Sequence, residues 1–133
     1  MDTNNPLIEK NILITGASSG IGKSLAINLS KFGANVIMLS KNEKALDSVY
    51  DEIKEKYNTE PMIIKCDLTD LNEIKSQEIT DIIGENYSRL DAIIHNAAIL
   101  EKMSNIENYD LVTWEKVLKV NLTSAFILSK YLI

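Results

Sequence analysis

The hydrophobic positions of this chain fall into short apolar runs that alternate with longer amphipathic segments. The runs are almost continuously apolar, which is typical of strands buried on both faces of a sheet. They predict strands at Asn11–Thr15, Asn35–Leu39, Met62–Cys66 and Asp91–His95. The amphipathic segments predict helices from Gly20 to Phe32, from near Asn42, from near Thr69 or Asp70, and from near Thr113 to the end of the chain.

Strands and helices that alternate in this way predict an α/β fold, in which helices cover both faces of a doubly wound parallel sheet and give three layers. The 133 residues are enough for one domain. The apolar pattern of the last helix continues to Ile133 without a glycine, proline or polar ending. We therefore expect residues 1–133 to form a single domain that is incomplete at its C-terminus, truncated after the fourth strand and its helix.

A glycine-rich run, Thr15 to Gly22, joins the first predicted strand to the first predicted helix. The backbone N–H groups of a first helical turn have no partner within the helix, and the helix dipole adds partial positive charge there. Glycines also let a pyrophosphate approach the backbone closely. The run therefore predicts a dinucleotide-binding site that includes Gly16, Ser18, Ser19, Gly20, Ile21 and Gly22.

The residues after the second predicted strand distinguish between two dinucleotides. An acidic residue about twenty positions after the glycines would bind the 2′-hydroxyl of the adenosine ribose in NAD. Here the sequence is Ser40-Lys41-Asn42, with no carboxylate before Glu43. Ser40 is small enough to leave room for a 2′-phosphate, and Lys41 can meet that phosphate with a positive charge. We therefore expect NADP as the cofactor, with NAD as the less favoured alternative.

A phosphate-binding P-loop is a competing interpretation, because Gly22-Lys23-Ser24 resembles the end of that motif. The P-loop spacing would require a glycine at position 17, where this chain has alanine. Lys23 is then expected to be a solvent-facing helix residue. A P-loop NTPase is the weakest of the alternatives.

The last predicted helix carries a polar residue among apolar ones. An apolar stripe at helical spacing is formed by Trp114, Val117, Leu118, Leu122, Ala125 and Leu128. Asn121 lies within that stripe, and a buried amide without partners costs about 1–3 kcal/mol. We therefore expect Asn121 to be buried and to have a specific hydrogen-bonding role.

Four motifs, in this order and at this spacing, resemble those of the short-chain dehydrogenases/reductases, a family of nucleotide-dependent oxidoreductases with the NAD(P)-binding Rossmann fold. They are the run from Thr15 to Gly22, Asp67 after the third strand, His95-Asn96-Ala97-Ala98 after the fourth, and Asn121 in the last helix. Within that family, the stretch from Tyr87 to Asn96, together with Trp114 and Val120-Asn121, is most similar to the bacterial YciK-type oxidoreductases.

The resemblance implies further contacts with the cofactor. Asp67 would bind the adenine amino group, and the backbone of Leu68 would help. The ribose and nicotinamide would lie against the small residues Asn96, Ala97 and Ala98. In the family the last of these is usually glycine, so Ala98 places an additional methyl group near the cofactor.

The resemblance also implies the reaction, which is hydride transfer between the nicotinamide of NADP(H) and a small-molecule carbonyl or alcohol. Asn121 is the one catalytic assignment within the chain, where it would kink the last helix and hold a water that leads to the active-site lysine. The family's catalytic Ser and Tyr-x-x-x-Lys would lie beyond Ile133, so this chain alone is expected to be inactive. The alternative is a non-catalytic nucleotide-binding or sensor module.

Composition limits the partners. The net charge is −5, and without a basic stripe this argues against nucleic acid. No apolar run is long enough to span a bilayer, so no membrane partner is expected. Cys66 is the single cysteine and cannot form an internal disulfide, which favours a reducing, cytoplasmic setting. We expect no metal site, and the family resemblance implies that the full-length protein is a homo-oligomer.

Overall fold

A parallel sheet with the strand order β3-β2-β1-β4 lies at the centre of the structure, a computed structural model that describes residues 4–133. Residues 1–3 of the predicted domain lie outside the described residues. The strands are β1 Asn11–Thr15, β2 Asn35–Ser40, β3 Met62–Lys65 and β4 Ala92–Ile94. The helices are α1 Gly20–Lys31, α2 Glu43–Lys56, α3 Glu73–Asn86, α4 Leu111–Leu118 and α5 Ser124–Leu132.

Helices cover both faces of the sheet because alternate residues of each strand point to opposite sides. On one face Leu13 and Ile37 pack against Ile83 of α3 and Leu128 of α5. On the other face Ile14 and Val36 join a second core cluster that contains Ala26 of α1 and Leu46 of α2. This arrangement confirms the doubly wound, three-layer α/β prediction.

The first strand lies inside the sheet, and the strand order runs outward from it in both directions. β1 pairs in parallel with β2 on one side and with β4 on the other, and Leu13 lies between Ile37 and Ile93. In a doubly wound sheet, the carboxyl ends of two such strands leave a crevice in which ligands bind. The fold therefore places the residues that follow β1, β2, β3 and β4 around one opening.

Side-chain caps fix where several helices begin. Asn42 accepts a hydrogen bond from the N–H of Ala45 at 3.1 Å and begins α2, close to the predicted position. Asn72 accepts one from the N–H of Lys75 at 2.8 Å, so α3 begins at Glu73 instead of near Thr69 or Asp70. The residues before Asn72 form a turn because Asp67 binds the backbone and hydroxyl of Thr69. That turn delays the helix.

The last helix differs from its prediction in two ways. It begins at Leu111, since Asp110 caps the N–H of Thr113 at 2.9 Å. It is also interrupted by a π-helical segment, Lys119–Thr123, before α5 begins. The extra residue in this turn rotates the helix face, so that Val120, Ser124 and Leu128 are the buried positions.

The prediction that Asn121 is buried within an apolar stripe is therefore wrong, because Asn121 and Leu122 are exposed. Leu118, another member of that stripe, is 38% exposed. Only Leu128 among the predicted stripe residues is fully buried. Within residues 4–133, no helix combines the length and the apolar character needed to cross a membrane.

Candidate functional site

A cavity of about 400 Å³ opens at the carboxyl ends of the strands. Each wall comes from a different loop, which follows β1, β2, β3 or β4, and α4 and the π segment close one side. It is lined by Gly16, Ser18, Ser19, Leu39, Ser40, Lys41, Cys66, Asp67, Leu68, Thr69, Asn96, Ala97, Ala98, Ile99, Lys116 and Val120. Most residues predicted to contact a cofactor are therefore brought together in one place.

The glycine-rich loop depends on glycine for two different reasons. Gly16 and Gly20 have φ angles of 67° and 53°, a left-handed conformation that favours glycine. Around Gly20 there is open space, since a Cβ there would meet nothing within 4 Å among the described residues. Gly22 is buried, and a Cβ there would lie 2.2 Å from the carbonyl oxygen of Gly16. The loop therefore folds tightly on itself while its outer side stays open.

The start of α1 is open to an anion. Ser19 is the N-cap residue, yet within the described chain its side chain makes no capping hydrogen bond to the helix. The first-turn N–H groups of α1 therefore remain available to a phosphate. Ile21 is 74% exposed and lies in this turn beside the open space around Gly20.

Hydrogen bonds fasten the loop after β4 to the end of β1. The hydroxyl of Thr15 accepts from the backbone N–H groups of Asn96 and Ala97, at 3.1 and 3.0 Å. The side-chain amide of Asn96 donates in turn to the carbonyl oxygens of Thr15 and Gly16. These bonds join the wall formed by the glycine-rich loop to the wall formed by the Asn96–Ala98 segment.

The end of β2 forms the opposite side of the cavity. The Ser40 hydroxyl donates to the Ser18 hydroxyl at 2.9 Å and accepts from the N–H of Asn42 at 3.3 Å. Lys41 follows directly and is exposed. Two hydroxyl groups therefore meet between the glycine-rich loop and β2, and Lys41 lines the same cavity. In the described chain the cavity lining has no carboxylate at the end of that strand.

The loop after β3 contributes Asp67. Its Oδ1 accepts from the backbone N–H of Thr69 at 3.0 Å and from the Thr69 hydroxyl at 2.8 Å. These hydrogen bonds hold the pKa of the Asp67 carboxyl below its ordinary value, and the positive charges of Lys41 and Lys116 act in the same direction. Asp67 is therefore ionised at neutral pH and can accept further hydrogen bonds. Its neighbour Cys66 is buried, and burial raises the pKa of the thiol.

Asn121 holds the backbone of Ile99, a residue that lines the cavity. Its Oδ1 accepts from the N–H of Ile99 at 2.8 Å, and its Nδ2 donates to the carbonyl oxygen of the same residue at 2.9 Å. The side chain is thus bonded on both sides, although the residue is exposed. Asn121 itself is not among the lining residues, whereas Ile99 is.

The predicted residues fall into two groups. Those that line the cavity are Gly16, Ser18, Ser19, Ser40, Lys41, Asp67, Leu68, Asn96, Ala97 and Ala98. Four predicted residues are not among the lining residues, namely Gly20, Ile21, Gly22 and Asn121. Lys23, which a P-loop would direct at phosphate, is absent from the described lining. No group of three or more metal-ligating side chains occurs among residues 4–133.

Sequence reasoning missed several participants. Thr15 receives the bonds that join two loops, and Glu101 forms an ion pair at 2.7 Å with Lys116, which lines the cavity. A threonine at the end of a strand before a glycine-rich turn is a signal that could have found Thr15. Lys116 and Glu101 are ordinary surface residue types, and nothing in their spacing distinguishes them.

Comparison with known proteins shows what this arrangement is similar to. The family model for short chain dehydrogenase matches residues 10–133. The oxidoreductase YciK of Escherichia coli K12 is 34% identical over 127 residues, which are 96% of this chain and 50% of YciK.

Solved structures are similar over nearly the whole chain. A short chain dehydrogenase from Escherichia coli CFT073, complexed with NADPH, matches with a TM-score of 0.92 and 34% identity, covering 97% of this chain and 54% of that one. One from Shigella flexneri 2a, complexed with NADP, matches with a TM-score of 0.93 and 32% identity, covering 98% and 54%. The chain thus spans about half the length of these relatives.

Proposed function

This chain belongs to the short-chain dehydrogenase family, and we propose that it forms the cofactor-binding part of an NADP(H)-dependent oxidoreductase. The observation that carries the proposal is the cavity at the carboxyl ends of the strands. Its lining includes the N-cap residue of α1, whose side chain makes no capping hydrogen bond within residues 4–133, and Ser40 and Lys41 at the end of β2. When bound, the nicotinamide would supply the hydride for a carbonyl or accept one from an alcohol.

The residues present fit a dinucleotide at its phosphate bridge. The free space around Gly20 leaves room for a pyrophosphate at the first turn of α1, where backbone N–H groups lack helical partners. Gly22 keeps the loop close to the Gly16 carbonyl, which holds those N–H groups in position. Ser18 and Ser19 line the same part of the cavity and can donate hydroxyl hydrogen bonds.

At the adenosine end, Ser40 and Lys41 suit a 2′-phosphate, because a hydroxyl donor and a cation lie where NAD enzymes have an acid. The ionised Asp67 suits the adenine amino group, a hydrogen-bond donor. The backbone of Leu68 would complete that contact. The small Asn96, Ala97 and Ala98 would bound the ribose and nicotinamide end.

Asn121 suits a positioning role at the ribose and nicotinamide end, because it fixes the backbone of Ile99 in the cavity wall. No tyrosine lines the described cavity, so this chain offers no phenol there to exchange a proton with a substrate oxygen. We propose that the chain alone binds NADP(H) without turnover. The substrate is a small carbonyl or alcohol, and a full-length protein would be a homo-oligomer. The buried single Cys66 suits a reducing cytoplasm.

A cofactor titration tests this proposal. NADPH should bind at least about tenfold more tightly than NADH, since one charge-assisted contact is worth about 1.4 kcal/mol or more. Ser40→Asp should reverse the preference by placing a carboxylate against the phosphate, and Lys41→Met should weaken NADPH alone. Lys31→Met, at the far end of α1, serves as the matched control and should leave both affinities unchanged.

Equal affinity for NADPH and NADH would overturn the assignment of NADP. Absence of binding by either nucleotide would overturn the cofactor site itself. A protein that binds NADPH but shows no turnover even at full length would instead be the non-catalytic nucleotide-binding or sensor module.

A further inference from the structure

A second lysine lines the cavity that Lys41 and Asp67 also line. Lys116 lies on α4, and its Nζ is 2.7 Å from Oε1 of Glu101, which belongs to the loop after β4. Lys116 lines the cavity together with Lys41 and Asp67, although it is separated from Lys41 by 75 positions in the sequence. The fold therefore brings two lysines that are distant in the sequence to the lining of one cavity.

The charges around this opening act on one another. Lys41 and Lys116 both help to hold the pKa of Asp67 low, after the hydrogen bonds from Thr69. The hydrogen bond from Lys116 lowers the pKa of Glu101, and the charge of Lys41 adds to that effect. Each lysine therefore lies within electrostatic reach of the same two carboxylates. Both lysines line the same cavity, and so does Ser40.

The ion pair between Lys116 and Glu101 can be exchanged at little cost. The two side chains are 48% and 35% exposed, and solvent-exposed ion pairs contribute little to stability. A phosphate monoester carries about −1.5 to −2 charges at neutral pH, more than a single lysine neutralises. A phosphate that enters beside Lys41 would therefore compete well with Glu101 for the Lys116 ammonium.

We infer that Lys116 is a second cationic residue for the 2′-phosphate of the cofactor, and that Glu101 is its counter-ion until the phosphate arrives. This inference rests on the proposed NADP(H) function. Glu101 then has a definite effect on affinity, because its negative charge competes with the ligand for the lysine. Its removal should strengthen NADPH binding, which is the opposite of what a mere structural brace would do.

Titration of four variants with NADPH and NADH tests the inference. Lys116→Met should weaken NADPH binding about five- to tenfold and leave NADH within about twofold, because only NADPH carries the additional phosphate. Glu101→Gln should strengthen NADPH binding about two- to fivefold. Lys116→Arg should retain the preference for NADPH. Lys130→Met breaks the Lys130–Glu73 pair, also 2.7 Å long but outside the cavity lining, and should change neither affinity.

The outcomes separate this inference from the function on which it rests. If the parent protein prefers NADPH and Lys41→Met weakens it, but Lys116→Met does not, only the role of Lys116 is overturned. If Lys116→Met and Glu101→Gln weaken both nucleotides equally, the pair braces the loop and the inference is wrong. A parent protein that prefers NADH overturns both. Thermal unfolding of each variant identifies a loss of affinity that comes from misfolding.

Discussion

At the scale of single residues, the glycines show how differently the same residue type is used within one loop. The sequence predicted that the run from Gly16 to Gly22 turns sharply at a phosphate site, since the pattern lies between a strand and a helix. It did not reveal that Gly22 is required by contact with the Gly16 carbonyl whereas Gly20 is required by its backbone angle. Those reasons depend on which atoms face each other after folding.

Substitution of Gly22 separates packing from helix propensity. Gly22→Ala would place a methyl group against the Gly16 carbonyl and the Asn96 amide, at 2.2 and 2.6 Å. We expect a loss of about 1–3 kcal/mol in the free energy of unfolding and at least about tenfold weaker NADPH binding. Chemical denaturation and a fluorescence titration measure the two effects.

Gly84 provides the matched control, because it lies within α3 and a Cβ there would meet nothing within 4 Å among the described residues. Gly84→Ala should stabilise the protein by about 0.5–1 kcal/mol through helix propensity and leave NADPH affinity unchanged. Equal effects of the two substitutions would contradict the packing explanation for Gly22.

Residues that act through distant partners were beyond the reach of the sequence. Lys116 is one of many lysines on helix surfaces, and only the folded chain brings it into the same cavity lining as Lys41. Asn121 was noticed for a reason that proved wrong, since its amide is exposed. Its predicted hydrogen-bonding role nevertheless matches the two bonds to Ile99.

At the scale of elements, the π segment connects two loops of the site. Lys119 donates to the carbonyl oxygen of Leu71 in the loop after β3, and Asn121 is bonded to Ile99 after β4. Val120 lies between them, is buried and lines the cavity. A periodicity of 3.6 residues predicted one continuous helix, because a single wide turn leaves no mark in the pattern of apolar residues.

Substitutions of Asn121 test this connection. Asn121→Asp keeps the acceptor for the Ile99 N–H but loses the donor to its carbonyl oxygen, whereas Asn121→Ala loses both. We expect Asn121→Ala to increase hydrogen exchange at the Ile99 amide about tenfold or more and to weaken NADPH binding, with a smaller effect for Asn121→Asp. Exchange measured by NMR resolves this amide.

Asn28 is a suitable control, since among the described residues its amide donates only to the Ser24 carbonyl and hydroxyl one turn earlier in α1. Asn28→Ala should leave exchange at Ile99 and NADPH affinity as they are. If Asn121→Ala leaves the Ile99 amide equally protected, the segment does not hold the loop.

At the scale of the whole molecule, the sequence predicted the sheet and its layers well. Nearly continuous apolar strands such as Asn11–Thr15 require cover on both faces, and the structure has a core cluster on each. Strand boundaries were correct to within one residue at each end. The start of α3 and the course of the last predicted helix were less accurate, because caps and the π turn depend on single side chains such as Asn72 and Asp110.

The end of the sheet opposite the cavity is held by a carboxylate. Asp91 accepts from the backbone N–H of Asn11 at 2.9 Å and forms ion pairs with Arg89 and Lys10 at 2.9 and 3.6 Å. Its pKa is lowered, first by the hydrogen bond from Asn11 and then by the two positive charges. A lowered pKa in the folded state stabilises the protein above the ordinary value of about 3.9, and that stabilisation is lost as the pH falls through the lowered pKa.

We therefore expect stability to decline below about pH 4 in part through Asp91. Asp91→Asn should flatten the dependence of the free energy of unfolding on pH in this range and lower stability at neutral pH. Asp47→Asn, on the exposed side of α2, should retain the slope of the parent protein. Urea denaturation at several pH values measures both slopes, and an unchanged slope in Asp91→Asn would contradict the assignment.

The bonds between Thr15 and the Asn96–Ala97 backbone have a consequence for the energetics of ligand capture. Two walls of the cleft are already locked together by the strand that both adjoin, so a ligand meets a surface that does not have to be organised first. Little conformational entropy is then lost on association, and more of the contact energy remains as affinity. Loss of the Thr15 hydroxyl would impose that ordering cost on every binding event, although Thr15 is not among the described residues that line the cavity.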